Sequence, residues 1–274
     1  MGTLRIDETM CRRDGICAAI CPGRLIEQQE AQEIPRHIPG AMELCIDCFH
    51  CVAACPHGAL AIGEVDVAAC KMLNPQLSLS PAAAEQFLRS RRSIRTYKDT
   101  LLEKETITEL IQLASHAPAG HNNRDLRWTV IYRPAEVQRL SGLVVDWARE
   151  MLTRQPEMAK TYRMDRLVKG WEAGLDPINR NAPHLVIVRA SKDNMRAPTS
   201  AAIALAYLEL AAHARGIGAC WAGYFRIAAE TWGPLQETLP IKENDAVYGA
   251  MMLGYPRYEY HRLPPRPKPE ITYF

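Results

Sequence analysis

The sequence predicts a chain in two parts: a small cysteine-held module over residues 1–68, then a larger domain of mixed helices and strands over 82–274. Residues 69–81 read as a linker between them. Three observations lead there. Seven of the nine cysteines fall within residues 11–55, in two runs that each end in proline. Beyond residue 82, segments with apolar residues at helical spacing alternate with short β-branched runs. At 274 residues the chain is long enough for one large domain and a small one.

The module is organised around CIDCFHCVAACP at 45–56, with Cys45, Cys48, Cys51 and Cys55 followed by Pro56. This C-x2-C-x2-C-x3-C-P spacing is the bacterial run that holds cubane iron–sulfur clusters. Three thiolates two residues apart can wrap three corners of one cluster. The fourth, turned away before the proline, reaches a neighbouring cluster. Zinc knuckles instead set two C-x2-C pairs apart.

A second run lies upstream. Cys11, Cys17 and Cys21 precede Pro22, and the fourth position in register is Asp14. The spacing implies an exchange. Cys11, Asp14, Cys17 and Cys55 surround one cluster; Cys45, Cys48, Cys51 and Cys21 surround the other. Residues 1–68 thereby resemble a bacterial two-cluster ferredoxin, and two 4Fe-4S clusters are the implied cofactors. Asp14 departs from that pattern. A carboxylate oxygen is a harder, more easily replaced iron ligand than a thiolate. Four readings stay open: Asp14 ligates the fourth iron, leaves that corner to water, leaves a three-iron (3Fe-4S) cluster, or is a surface turn residue before Gly15.

Composition narrows the class. Hydrophobic content of 47% and charged content of 23% are ordinary for a globular protein. A formal charge of +2 argues for neither a nucleic-acid partner nor a basic membrane patch. No apolar h-region opens the chain, and no stretch of 18 apolar residues occurs. Clusters and free thiols point to a reducing, cytoplasmic setting with little oxygen. Cys70 and Cys220 lie outside the runs and read as buried thiols.

Residues 82–91 read as a helix, with Ser80 as N-cap and Pro81 at the first helical position. Residues 104–117 form an amphipathic helix with Ile107, Leu110, Ile111 and Ala114 on one face. Strands are expected at 127–132, 184–189 and 247–253, and a helical stretch at 134–170. The helix at 200–215 is apolar nearly all round, so burial on most sides is expected. Gly216 and Gly218 read as its stop. The proline-rich tail at 263–274 must lie extended over something.

Arg91, Arg92, Ser93 and Arg95 follow a helix end. Guanidinium groups make forked, charge-assisted bonds to phosphate; a solvated basic helix end is the plainer reading. The run RRSIRTY at 91–97 resembles the opening of the nitroreductase family of flavin enzymes. SHAPAGHNNRDLRWTVI at 115–131, ARGIGACWAGYF at 214–225, LGYP at 253–256 and the tail ending HRLPPRPKPEITYF are similar to later segments of that family, in the same order. The matches run from about residue 85 to the end. With the N-terminal module, the chain resembles the iron–sulfur branch of the family.

The resemblance implies an α+β sandwich that forms a homodimer and binds FMN at the subunit interface. It places Arg91 and Ser93, with Arg92 in the same run, at the FMN phosphate and ribityl chain. Arg95 matches the basic residue beside the flavin N1 and C2 carbonyl, where positive charge stabilises the reduced, anionic flavin. Asn122 matches a flavin-ring amide contact. Pro118, Ala119 and Gly120 match residues that reach the flavin from the partner subunit. Gly223 matches the backbone approach to the N5 edge, and Arg262 a phosphate ligand in the tail. The chain departs from the family at Arg124, Asp125 and Leu126, where Gln-Pro-Trp is common, and at Tyr260, where a phosphate-side lysine stands.

Gly216-Ile217-Gly218 is no nicotinamide fingerprint, because it follows a helix and Trp221 holds the third glycine position. His116, His121 and His184 sit near predicted element ends and read as structural; no side-chain general acid is assigned. The expected function is an iron–sulfur flavoprotein oxidoreductase. Electrons from reduced ferredoxin or a similar donor would cross the clusters to FMN and reach a small electrophile: a nitroaromatic, quinone or activated alkene. The rival readings are a non-catalytic electron-transfer module serving a protein partner, and a redox sensor built on Asp14.

Overall fold

The structure, a computed structural model, describes residues 3–274. It divides into two units. One runs to Ser78 and includes His121–Asn123; the other comprises Leu79–Gly120 and Arg124–Phe274. The sequence reading put 121–123 wholly in the larger domain. Their placement with the first unit follows from a long-range hydrogen bond that spacing does not reveal: the Asn122 amide donates to the carbonyls of Ile46 and Asp47, at 2.9 Å each.

The first unit is built of short pieces: β1 (Leu4–Ile6), α1 (Ile16–Ile20), β2 (Ile26–Glu27), β3 (Arg36–His37), α2 (Ala41–Leu44), α3 (His50–Ala54) and β4 (Leu60–Ile62). β1 pairs antiparallel with β4, and β2 with β3. Helices of five residues do not persist alone. α1 and α3 are held by a core of Leu4, Ile26, Val52, Leu60 and Ile62 with the thiols of Cys17 and Cys51. Two turns of 3-10 helix follow, each capped by its own side chain. Asp66 accepts from the amides of Ala68 and Ala69, and Asn74 from that of Gln76.

The second unit begins with α4 (Pro81–Ser90), where Ser80 Oγ accepts from Ala83 N at 3.2 Å and proline opens the helix. α5 (Lys104–Ala114) buries Ile107, Leu110 and Ala114. It ends three residues earlier than expected, where the Ser115 N–H donates to the carbonyls of Ile111 and Gln112 in a closing turn. β5 (Arg127–Ile131) follows. The stretch expected as one helix over 134–170 is three: α6 (Pro134–Arg154), α7 (Pro156–Thr161) and α8 (Met164–Glu172). Pro156 cannot donate into α6 and Gln155 leaves the helix at φ −139°; Arg163, at φ 51°, makes the second break. Next come β6 (His184–Ser191), α9 (Ala197–Ala214), β7 (Gly218–Trp221), α10 (Gly223–Thr231), α11 (Gly233–Thr238) and β8 (Asp245–Gly254). β7, α10 and α11 were not expected; each is too short to declare a period.

The sheet order is β5-β6-β8-β7, antiparallel throughout. Its side chains alternate between two cores. From β6, Leu185 and Ile187 join Val144, Trp147 and Phe225 on one face, while Val186 and Val188 join Leu110, Leu205 and Leu208 on the other. Helices cover both faces, which is why β6 is a continuous apolar run. α9 buries one face through Ala201, Ala204, Leu205, Leu208 and Ala212, yet Ala202 and Tyr207 stand exposed. The expectation of burial on most sides is therefore not met within this single chain. Residues 257–274 are exposed and form no helix or strand. No helix among the described residues is long and apolar enough to cross a membrane.

Candidate functional site

In the first unit the prolines act locally. Cys21 and Cys55 precede Pro22 and Pro56 and adopt extended backbone at φ −67° and −71°, each capping the C-terminus of a helix, α1 and α3. Each sulfur then accepts a backbone amide four residues on, Leu25 N to Cys21 Sγ at 3.3 Å and Ala59 N to Cys55 Sγ at 3.4 Å. Such bonds are a principal control on the potential of thiolate-held clusters. The two halves of the unit thus repeat one device.

Cys21, Cys45, Cys48 and Cys51 line a cavity of about 430 Å³, together with Leu25 and His121. Burial pushes the Cys51 thiol up to about 11, and the charges of Cys48 and Cys21 add to the rise. Burial also raises Cys17, and its charged neighbours are Cys11, Asp14 and Cys55. Cys21, Cys45, Cys48 and Cys51 thus share one cavity, and Cys11, Asp14 and Cys55 are the groups whose charges reach Cys17. Soft thiols so grouped suit iron–sulfur clusters. Because burial raises the Cys17 and Cys51 thiols, iron binding to them must release protons. Asp14 has local work as well: Oδ1 accepts from Ile16 N at 3.1 Å, and Oδ2 lies 3.5 Å from His57 Nε2.

In the second unit, the segment after α4 runs beside β7. Ile94 N donates to Ala219 O at 2.9 Å, and Ser93 bridges to Ala219. Gly218 makes the approach possible, since a Cβ there would meet Ile94 Cβ at 2.8 Å. Gly216 ends α9 at φ 68°. The two glycines do different jobs, and only the first was read as a stop correctly. Arg91, Arg92, Lys98, Glu209 and His213 line a cavity of about 480 Å³ that extends to Tyr260.

The arginines differ in how they are held. Arg91 Nη1 donates to Glu209 Oε1 at 2.8 Å. Arg92 donates to the carbonyls of Arg91 and Arg89, while its buried Nε has no partner among the described residues. Among the described residues, Arg95 Nη1 donates to Ser93 O at 3.3 Å. Cations grouped on a cavity with an unsatisfied N–H suit an anionic group such as a phosphate. At the start of α10, a Cβ on Gly223 would meet nothing within 4 Å, so the backbone is open to a flat ligand. These residues fit a phosphorylated flavin.

Pro118 and Gly120 are exposed and Ala119 is half-buried. A Cβ on Gly120 would come within 2.6 Å of Arg196 Cδ. Both amide hydrogens of Asn122 are used in the first unit, leaving its Oδ1 for any other polar contact. Arg262 is exposed on the tail. His184 is structural: Leu102 N donates to Nε2 at 2.9 Å, so Nδ1–H donates to Tyr132 O at 2.8 Å. His116 and His121 are exposed. Sequence reasoning missed Glu209. The available signal was a lone acid in the otherwise apolar run SAAIALAYLELAAHA.

A helix-covered antiparallel sheet and two thiol sets on one chain define a redox protein, an oxidoreductase carrying an iron–sulfur module. Residues 88–255 match the profile of the nitroreductase family, and the chain belongs to that family. Residues 3–56 match a 4Fe-4S dicluster domain. A relative from Archaeoglobus fulgidus, provisionally named NADH dehydrogenase/NAD(P)H nitroreductase, is 26% identical over 174 residues, covering 62% of this chain and 83% of the relative. The fold is similar to a nitroreductase with bound FMN from Bacteroides fragilis (TM-score 0.55, 20% identity, 69% of this chain and 97% of that one). It is equally similar to an FMN-bound nitroreductase from Desulfitobacterium hafniense (TM-score 0.55, 21% identity, 69% and 97%).

Proposed function

We propose that this protein is a cytoplasmic reductase that takes electrons singly from a reduced ferredoxin or similar carrier and passes them through two iron–sulfur clusters and FMN to a small electrophile. The carrying observation is the presence on one chain of four cysteines around one cavity, a cation-bearing cavity, and a glycine with open space at its Cβ. FMN, when bound, supplies the exchange between one-electron and two-electron chemistry. Arg91, Arg92 and Ser93 hold its phosphate and ribityl chain. Arg95 sets positive charge beside the ring, favouring electron uptake. Gly223 keeps the ring edge open to substrate. A nitroaromatic, quinone or activated alkene takes two electrons and two protons; a nitro group thereby becomes nitroso and releases water.

The assembly proposed is a homodimer. The exposed side of α9 at Ala202 and Tyr207, and the exposed Ile271, Tyr273 and Phe274 of the tail, need a surface to cover. Pro118, Ala119 and Gly120 would then serve the partner subunit's flavin. Asp14 would hold the exchangeable corner of its cluster, the site of a three-iron form.

The test is anaerobic purification followed by iron, sulfide and flavin assays, sedimentation, and turnover with a nitroaromatic or quinone. Two clusters and one FMN per chain are expected, in a dimer that outpaces free FMN with reduced ferredoxin as donor. NADH and NADPH are run beside it, because the relatives' names invoke them. Zinc in place of iron and sulfide, or absence of flavin, refutes the cofactor reading. Reoxidation no faster than free FMN leaves an electron-transfer module instead.

A further inference from the structure

α9 has one acidic residue, Glu209, and it is 7% exposed. A buried carboxylate is expensive unless paired and hydrogen-bonded. Both of its oxygens are engaged, by different elements. Oε1 accepts from Arg91 Nη1 at 2.8 Å, at the end of α4, and Oε2 accepts from Trp221 Nε1 at 3.3 Å, at the end of β7. Arg91 belongs to the anion-facing segment, and Trp221 stands two residues before Gly223. One turn along α9, the His213 ring meets Ser90 Oγ at 2.8 Å. The same cavity is lined by Arg91, Arg92, Lys98 and Arg257, with Glu259 as a second acid.

An acid beside a phosphate site opposes anion binding by charge alone. Its retention there needs a compensating role, and the hydrogen bonds supply one. Arg91 carries five N–H donors in a planar fork. Spending Nη1 on Glu209 fixes the plane of that fork and leaves the others for a ligand. The same carboxylate ties the indole of Trp221, a residue 39% exposed, to the same geometry.

We infer that Glu209 is a positioning residue that clamps Arg91 and Trp221 into one arrangement for the flavin. This rests on the flavin reading above. Glu209 also sets a negative charge in the site, which opposes reduction of the bound flavin. Gln at this position keeps the volume but loses the charge and one of the two acceptors.

The test is a double-mutant cycle in the full-length dimer, stripped of flavin and titrated with FMN by fluorescence. Native, Glu209→Gln, Arg91→Ala and the double variant are compared, with the flavin midpoint potential measured for native and Glu209→Gln. The expected result is at least tenfold weaker FMN binding for Glu209→Gln in the native background and less than twofold in the Arg91→Ala background. The potential of Glu209→Gln should move upward, since the opposing charge is gone. Equal losses in both backgrounds, no loss, or an unmoved potential overturns the inference. If Glu209→Gln fails to fold, Trp221→Phe, which removes the other arm of the clamp, takes its place in the cycle under the same affinity criteria. Native protein that binds no FMN defeats the functional reading itself; native binding with an unaltered Glu209→Gln defeats only the clamp.

Discussion

Gly218 offers the sharpest test of how the fold shapes the flavin site. A Cβ there would lie 2.8 Å from Ile94 Cβ and Cγ2 and 2.9 Å from Cγ1. Ordinary carbon contacts sit at about 3.5–4 Å, so the two segments must separate by roughly 0.7–1.2 Å. Ile94 is β-branched and stiff at χ1, and its Cβ moves only with the backbone. The separation strains the Ile94 N to Ala219 O bond, now 2.9 Å, and carries Arg91, Ser93 and Arg95 with it. Overpacking of this kind costs about 1–3 kcal/mol. For a domain of this size each kcal/mol lowers Tm by roughly 2–4 °C. A displacement of about 1 Å at a binding segment also misaligns the groups that would hold the ligand, so FMN affinity should fall. Gly216→Ala is the control. Its φ is 68° and nothing lies within 4 Å of the added Cβ, so it pays backbone strain of about 1–2 kcal/mol without moving the arginines. Calorimetry and FMN titration read the two effects. If Gly218→Ala melts and binds FMN as the native protein does, the reasoning from the Ile94 contact is wrong.

Two further outcomes follow from the structure. Brief ferricyanide treatment should raise a three-iron signal in native protein and none in Asp14→Cys, read by low-temperature electron paramagnetic resonance, with FMN binding unchanged; identical signals in both would make Asp14 a turn residue only. His184 is buried and neutral, and desolvation holds it below its ordinary range. A depressed histidine contributes stability above its unfolded value of about 6.5, and this is lost as pH falls toward the folded value, because the unfolded chain takes up the proton first. The Tm should therefore drop as pH falls below about 6.5, with a shallower slope in His184→Gln; parallel slopes would remove His184 from the account.

Where information is local, the sequence was readable. Ser80 and Pro81 start α4 because a hydroxyl cap and a preset φ act within one turn. β5 and β6 declare themselves through β-branched residues, and α5 through its buried Ile107 and Leu110. The break at Gln155–Pro156 was also written locally, but a long helical pattern overrode it. β7, at Gly218–Trp221, shows no period in four residues; it is a strand because β8 supplies its hydrogen bonds.

By itself the sequence determined the chemistry on offer: cysteines and prolines at spacings that dictate backbone direction, and arginines at a helix end. It also determined the family, since ordered motifs survive without knowledge of contacts. Only the tertiary structure decided which groups meet. Cys21 joins Cys45, Cys48 and Cys51 around one cavity, and Asn122 bonds Ile46 and Asp47 across more than seventy residues. Glu209 finds Arg91, which is 118 positions away. The physical reason is common to all three. Local dihedral preferences act over a few residues, whereas a buried thiol, amide or carboxylate is satisfied by whatever folding brings within about 3 Å, and sequence distance places no limit on that.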